Sequence, residues 1–175
     1  MQASDVIVAL WVVWPMYFAN GFAPLARGRR SLDFGKYLGS SRVFGDGKTF
    51  EGFGFALIAG LAVGGFQETI YAKMLHTFPY LPSMTPLIGI TLAFGAMAGD
   101  LVAAFFKRRL NMQRGESFPL VDQLDFIIGG VSFITASGLL KINWSSFFVL
   151  LIITPFVHLS SSWVGYKLGI KREPW

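Results

Sequence analysis

Along the chain, apolar stretches of about 20 residues, the length needed to cross roughly 30 Å of hydrocarbon, alternate with short charged stretches. Five such windows stand out: Asp5 to Leu25, Gly52 to Tyr71, Thr85 to Phe106, Leu124 to Leu140 and Ser145 to Leu168. The fourth is the shortest. Each reads as a transmembrane helix, so the pattern predicts an all-α integral membrane protein. The expected architecture is a compact bundle of five spans, forming one domain over residues 1–175.

The positive residues give the bundle an orientation. Cytoplasmic loops carry an excess of Lys and Arg. Here thirteen fall in the first loop (Arg27 to Lys48), the third loop (Lys107 to Arg114) and the tail (Lys167, Lys171, Arg172), whereas the opposite connections hold two, Lys73 and Lys141. This predicts an outside N-terminus, a cytoplasmic C-terminus and two functional cytoplasmic loops. The N-terminal stretch MQASDVIVALW has no positive n-region, so it reads as a span and not as a cleaved signal peptide.

Composition agrees. Hydrophobic residues make up 53% of the 175 and charged residues 14%, where a soluble globule carries about 25% charged residues. The absence of Cys excludes thiolate nucleophiles and sulfur-ligated metals, and two distant histidines, His76 and His158, argue against zinc. Any metal should be oxygen-ligated. The formal net charge of +5 sits in loops between spans and reads as topology, not as a nucleic-acid surface. No internal repeat is evident. Glycines within spans, such as Gly60, Gly64, Gly89, Gly95 and Gly99, allow close helix contact and permit, without requiring, a homodimer.

The candidate chemistry lies in GDLVAAFFKRRLNMQRGESFPLVDQLDFIIGG, from Gly99 to Gly130. An ionisable group inside a bilayer costs roughly 2.5 to 3.5 kcal/mol on insertion scales, and this stretch sets three aspartates around its short basic loop. Asp100 lies seven residues before Lys107, on the same helical face and about 10 Å deeper. Asp122 and Asp125 are three apart and share a face where the fourth helix begins. Neutralisation by a neighbouring cation would explain Asp100, and helix capping would explain Asp122; Asp125, followed by FIIGG, fits capping less well. Together the three supply the oxygens that Mg²⁺ takes when water and substrate phosphate complete its shell. Lys107, Arg108 and Arg109 either anchor the helix or also bind phosphate. Asn20 is the remaining polar group at useful depth, with interhelical hydrogen bonding as its simpler role.

The first loop, SLDFGKYLGSSRVFGDGKTFEG, is long and rich in aromatics and glycine, which argues against disorder. Its Asp46-Gly47-Lys48-Thr49 is not a P-loop, because the first glycine of that pattern would fall on Arg42. A turn that covers a nucleotide and a helix cap on Thr49 are both open readings.

Taken as a set, Asp100, Lys107-Arg108, and Asp122 with Asp125 resemble the signature of membrane CTP:phosphatidate cytidylyltransferases. With the FGDGKTFEG loop and the five-span layout, the chain is most similar to their short archaeal branch, the CDP-archaeol synthases. It departs from the larger family in the loop between Asn111 and Val121, with Arg114-Gly115 for Lys-Asp, Phe118-Pro119-Leu120 for His-Gly-Gly, and Asp122-Gln123-Leu124-Asp125 for Asp-Arg-x-Asp. The resemblance implies a Mg²⁺-dependent nucleotidyltransferase that uses CTP. Its second substrate would be a glycerol phosphate bearing two geranylgeranyl ether chains, and its products CDP-archaeol and pyrophosphate. It also implies Asp100, Asp122, Asp125 and Lys107 as catalytic, the three aspartates as metal ligands, and Asp46, Gly47, Lys48, Thr49, Arg108, Arg109 and Asn20 as substrate-binding. A cation transporter or channel, a CDP-alcohol phosphotransferase-like enzyme and a scaffold protein are the rival readings; the second needs an Asp-Gly where Asp125 is followed by Phe126, and the third would need none of these charges.

Overall fold

In the computed structural model, which describes residues 2–113, 115–167 and 169, the chain forms five long helices. They are α1 Ala3–Phe22, α2 Phe50–Thr77, α3 Pro86–Arg109, α4 Val121–Ser137 and α5 Trp144–Lys167. Arg114, Leu168, Lys171 and Arg172, used above for orientation, span limits and loop comparison, lie outside the described residues.

Helix starts follow local chemistry. Thr49 caps α2, its hydroxyl accepting from Gly52 N at 3.1 Å, and Thr85 caps α3 through Ile88 N at 3.2 Å with Pro86 at the first helical position. Two of the predicted windows shift. Helix α2 runs six residues past Tyr71, leaving only a short connector before α3. Helix α4 begins at Val121 and stops before Gly138, whose φ of 72° ends it in the left-handed conformation glycine tolerates.

Four helices, α1, α2, α3 and α5, are long and apolar enough to cross a membrane. At 17 residues, α4 is about 25 Å long, a little short of the hydrocarbon thickness. Large apolar side chains such as Ile58, Ile152 and Phe156 face outward from the bundle.

Helix α3 is central, touching α1, α2 and α4. Met16, Leu92, Phe126, Ile127, Ile134 and Leu150 are fully buried in the core that α3 shares with α1, α4 and α5. Its close approach to α4 depends on glycine. A methyl at Gly99 would collide with the Asp125 carbonyl and lie 3.1 Å from Gly129 Cα, and one at Gly95 would meet Gly129 O at 2.7 Å. Gly60 and Gly64 of α2 face Gly89 of α3 in the same way. The Gly99 contact therefore sets Asp100 beside the α4 turn that carries Asp125.

The first loop adds the one departure from an all-α description among the described residues. After a 3₁₀ turn at Ala23–Ala26, it forms a two-stranded antiparallel hairpin, β1 Tyr37–Leu38 and β2 Ser41–Arg42, in the register Tyr37↔Arg42 and Leu38↔Ser41. Arg109 at the end of α3 donates to the carbonyls of Leu38, Ser41 and Arg42, so the first and third loops meet at one end of the bundle. At the other end, Ser146 Oγ donates to Asp5 O at 3.0 Å, joining the first turn of α5 to the first turn of α1.

Candidate active site

The polar centre is assembled at the end where α1 finishes, α2 begins, α3 finishes and α4 begins. The segment before α2 is pinned by backbone hydrogen bonds, Leu32 N to Lys48 O at 2.8 Å and Phe50 N to Arg30 O at 2.9 Å. Lys48 is thereby held facing α3. Its Nζ donates to both oxygens of Asp100, at 2.6 and 2.7 Å. Asp100 lies nine residues before the end of α3, about 13 Å inside that helix end. The cation that neutralises it comes from the first loop and not from its own helix.

Lys107, two turns further along α3, crosses to α4. Its Nζ donates to Asp122 at 2.8 and 3.0 Å and to the Glu116 carbonyl at 2.6 Å. Asp122 is not the cap of α4. Leu120 holds that position at a φ of 64°, and Asp122 sits in the first turn, where its carboxylate accepts from Phe118 N at 2.9 Å and favours the positive helix end. One turn on, Asp125 accepts from the Phe126 backbone N–H. Among the described residues no cation stands within ion-pair distance of it.

These groups line a single cavity of about 590 Å³, within the size range of ligand sites. Asn20, Asp46, Gly47, Lys48, Asp100, Lys107, Arg108, Asp122 and Asp125 all border it. Arg108 donates to the carbonyls of Met112 and Gln113 at 2.6 and 3.3 Å, and its Nε is buried without a partner among the described residues.

Two expected substrate contacts fall elsewhere. The Thr49 hydroxyl is engaged in capping α2, and the residue borders a smaller adjoining gap. Arg109 reaches the hairpin carbonyls, with its guanidinium 5.2 Å from the Phe105 ring, and does not line the cavity. Asp46 lines the rim while pairing with Arg42 at 2.7 Å.

Sequence reasoning missed the residue that shapes this rim. Asp33 has a fully buried side chain. It accepts from Arg42 at 2.6 and 3.2 Å and from the backbone N–H groups of Gly35, Phe44 and Gly45 at 3.1, 3.0 and 2.9 Å. Burial pushes its pKa up, but the Arg42 guanidinium and the three N–H donors prevail and hold it well below the usual carboxylate range. Its visible signal is the Asp-Phe-Gly spacing of an Asx turn. His158, which the sequence reads with Ser160, Ser161 and Ser162 as able to line a cavity on the fifth span, does border it, whereas the three serines do not; Asn111 borders it too, and no spacing in the chain pointed to that residue.

The donor set suits a hard divalent cation: the three aspartates Asp100, Asp122 and Asp125 border one cavity, and the chain has no thiolate to compete. Among the described residues, no three acidic or His side chains form a ready-made cage. The ammonium groups of Lys48 and Lys107 instead lie against Asp100 and Asp122.

A helical scaffold with carboxylates and cations gathered on one cavity at the ends of membrane-length helices defines a multi-pass membrane protein with a polar site at one end. Comparison with known proteins narrows it. The model of the CarS-like CDP-archaeol synthase family matches residues 4–175. CDP-archaeol synthase from Halobacterium salinarum is 39% identical over 98% of both chains, that from Thermococcus onnurineus 37% over the whole of both, and that from Pyrobaculum calidifontis 40% over 98% of this chain and 99% of the other. A solved structure of an intramembrane enzyme for archaeal membrane lipid biosynthesis is similar with a TM-score of 0.78 at 32% identity, covering 89% of this chain and 93% of that one. The chain belongs to the CDP-archaeol synthase family.

Proposed function

We propose that this chain transfers the cytidylyl group of CTP to a glycerol phosphate bearing two geranylgeranyl ethers, at the cavity bounded by Asp100, Asp122 and Asp125, to form CDP-archaeol. The observation that carries the placement is the convergence of those carboxylates with Lys48, Lys107 and Arg108 on one space. An oxygen of the lipid phosphate attacks the α-phosphorus of CTP, and the bond from that phosphorus to the bridging oxygen breaks, releasing pyrophosphate. A phosphomonoester has a second pKa near 6 and is its own nucleophile at neutral pH, so no general base is needed.

Lys48 and Lys107 are paired with carboxylates in the resting site. When phosphates arrive, these ammonium groups turn to them, joined by Arg108, and neutralise the pyrophosphate as it departs. Asp100, Asp122 and Asp125 would hold Mg²⁺, which supplies Lewis-acid neutralisation of phosphate charge when bound. Gly47 and Asp46 place the turn before α2 over the nucleotide, and Asn20 lies on the α1 side of the cavity for a phosphate or ribose oxygen. The bundle crosses the bilayer five times, the short α4 included, with the cavity on the cytoplasmic side. There CTP comes from water and the lipid headgroup from the inner leaflet, in line with the positive residues of the first and third loops.

The test is purified protein with CTP, Mg²⁺ and the lipid phosphate, followed for pyrophosphate release, with a control lacking lipid. Asp100→Asn, Asp122→Asn and Asp125→Asn should each lose about 10²–10³-fold or more of turnover, the scale of removing one key electrostatic contact. Near-normal activity in two of the three would refute the shared site. Release of pyrophosphate or phosphate without lipid would recast the protein as a CTP hydrolase.

A further inference from the structure

By sequence, Arg42 is one more topology charge of the first loop. In the fold it borders the cavity together with Lys48, Lys107 and Arg108. The two edges of its guanidinium are held very differently. On one edge, Nε and Nη2 donate to Asp33 at 3.2 and 2.6 Å, and Nη2 donates also to Ser31 Oγ at 3.2 Å. The Asp33 side chain is fully buried and accepts from three backbone N–H groups as well, so breaking this contact would strand a buried carboxylate. On the other edge, Nη1 meets Asp46 at 2.7 Å, and the Asp46 side chain is 67% exposed. An ion pair open to water contributes little and is readily exchanged. Arg42 is therefore fixed from behind, while the carboxylate at its front is free to turn into solvent.

A second guanidinium stands beside the same turn. Gly45 gives its amide to Asp33 at 2.9 Å, and a methyl on it would lie 3.7 Å from Arg108 Nε. Arg42 and Arg108 thus flank Gly45, and Arg108 Nε is buried with no hydrogen-bond partner among the described residues. Two cations gathered at one turn repel each other unless an anion is close by. In the empty site Asp46 supplies that anion to Arg42.

We infer that Arg42 is a further phosphate-binding residue of this site, and that Asp46 occupies its free edge until the β,γ end of the nucleotide displaces it. This rests on the cytidylyltransferase reading given above. The α-phosphate belongs with Asp100, Asp122 and Asp125, where the lipid oxygen attacks. Lys48, two residues after Asp46, reaches from the turn to Asp100, so phosphates running outward from the acids pass Lys48 and arrive between Arg108 and Arg42. A pyrophosphate group brings more charge and more acceptor oxygens than one exposed carboxylate, and it prevails in the exchange.

Asp46→Asn keeps the shape of the side chain and removes its charge. It should lower the KM for CTP, and the inhibition constant of inorganic pyrophosphate with Mg²⁺ present, by about two- to fivefold, the scale of one exposed ion pair. Inhibition by CMP, which lacks the β- and γ-phosphates, should stay where it was. Arg42→Lys should raise the constants for CTP and pyrophosphate about tenfold, because one ammonium cannot serve Asp33 and a phosphate in the way a guanidinium fork does. In the Arg42→Lys background, Asp46→Asn should bring no comparable gain. Equal gains in both backgrounds, equal sharpening for pyrophosphate and CMP, or constants that stay level or rise in Asp46→Asn alone would each overturn the assignment. The last two comparisons need no Arg42 variant and decide the matter even where Arg42→Lys loosens the hairpin. Pyrophosphate affinity is measured by calorimetry without lipid or turnover. Absence of lipid-dependent pyrophosphate release by the wild type would therefore count against the cytidylyltransferase reading, while the pyrophosphate data judge Arg42 and Asp46 separately.

Discussion

The two loops that meet at the cavity are built on opposite plans. In the first, Lys48 faces the cavity while its backbone is held by other residues, with Arg42 alone both pairing with the buried Asp33 and bordering the cavity. Asp33 gathers Arg42 and three backbone N–H groups, and Arg109 grips the hairpin from α3, which leaves Lys48 for the cavity. In the third loop the same side chains do both. Lys107 binds the Glu116 carbonyl and Asp122, and Arg108 binds the carbonyls of Met112 and Gln113, yet both line the cavity. Substitutions should therefore separate structure from chemistry in the first loop and confound them in the third. On the proposed mechanism, phosphate that draws Lys107 and Arg108 to itself would also cost the third loop the contacts these side chains make, linking ligand binding to rearrangement there.

The largest effect expected from this contrast is at Lys107. On the proposed mechanism, Lys107→Ala would remove a cation from the departing pyrophosphate, and it leaves Asp122 without its ion-pair partner. Turnover should fall by about 10²–10³-fold, and limited proteolysis between Asn111 and Leu120 should become faster at the same time. Lys48→Ala should raise the KM for CTP while hydrogen exchange in the hairpin stays as in the wild type, since the pins of that segment are backbone bonds. Equal loosening of both loops by their respective lysine substitutions would erase the distinction.

The same contrast explains what could be read from the chain alone. The helices were legible because apolar runs of membrane length have few alternatives, and Asp100, Asp122 and Asp125 were legible because acids among such runs are costly. Their pairing was not. The seven-residue spacing of Asp100 and Lys107 suggested one face of one helix, whereas each carboxylate takes its cation from a different element, Lys48 from before α2 and Lys107 across to α4. Thr49 and Arg109 were assigned to substrate by position in their motifs; the structure engages one in a helix cap and the other in a hairpin. Asp33 went unnoticed because an acid in a polar loop carries no burial penalty visible in sequence. Only the folded hairpin encloses it.

Asp33 also gives the smallest and most specific prediction. Its pKa is held down in the folded protein, against an ordinary value of about 3.9 for an unfolded chain. A carboxyl with a depressed folded pKa stabilises the fold fully above its unfolded pKa, and that stabilisation is lost as pH falls toward the folded value. The amide of Gly45, which donates to Asp33 at 2.9 Å, should accordingly keep constant protection from hydrogen exchange between about pH 7 and 5, after correction for its intrinsic rate, and begin to lose it below about pH 4. Arg42 keeps its charge throughout that range, its own pKa being raised chiefly by the hydrogen bond to Asp33, so the change reports the carboxyl. Asp33→Asn should abolish this acid-dependent loss while raising the KM for CTP only severalfold, because Lys48 retains its backbone pins. A variant that kept the same acid profile would place the titrating group elsewhere. A variant as impaired in turnover as Lys107→Ala would show that the first loop, like the third, cannot separate its scaffold from its chemistry.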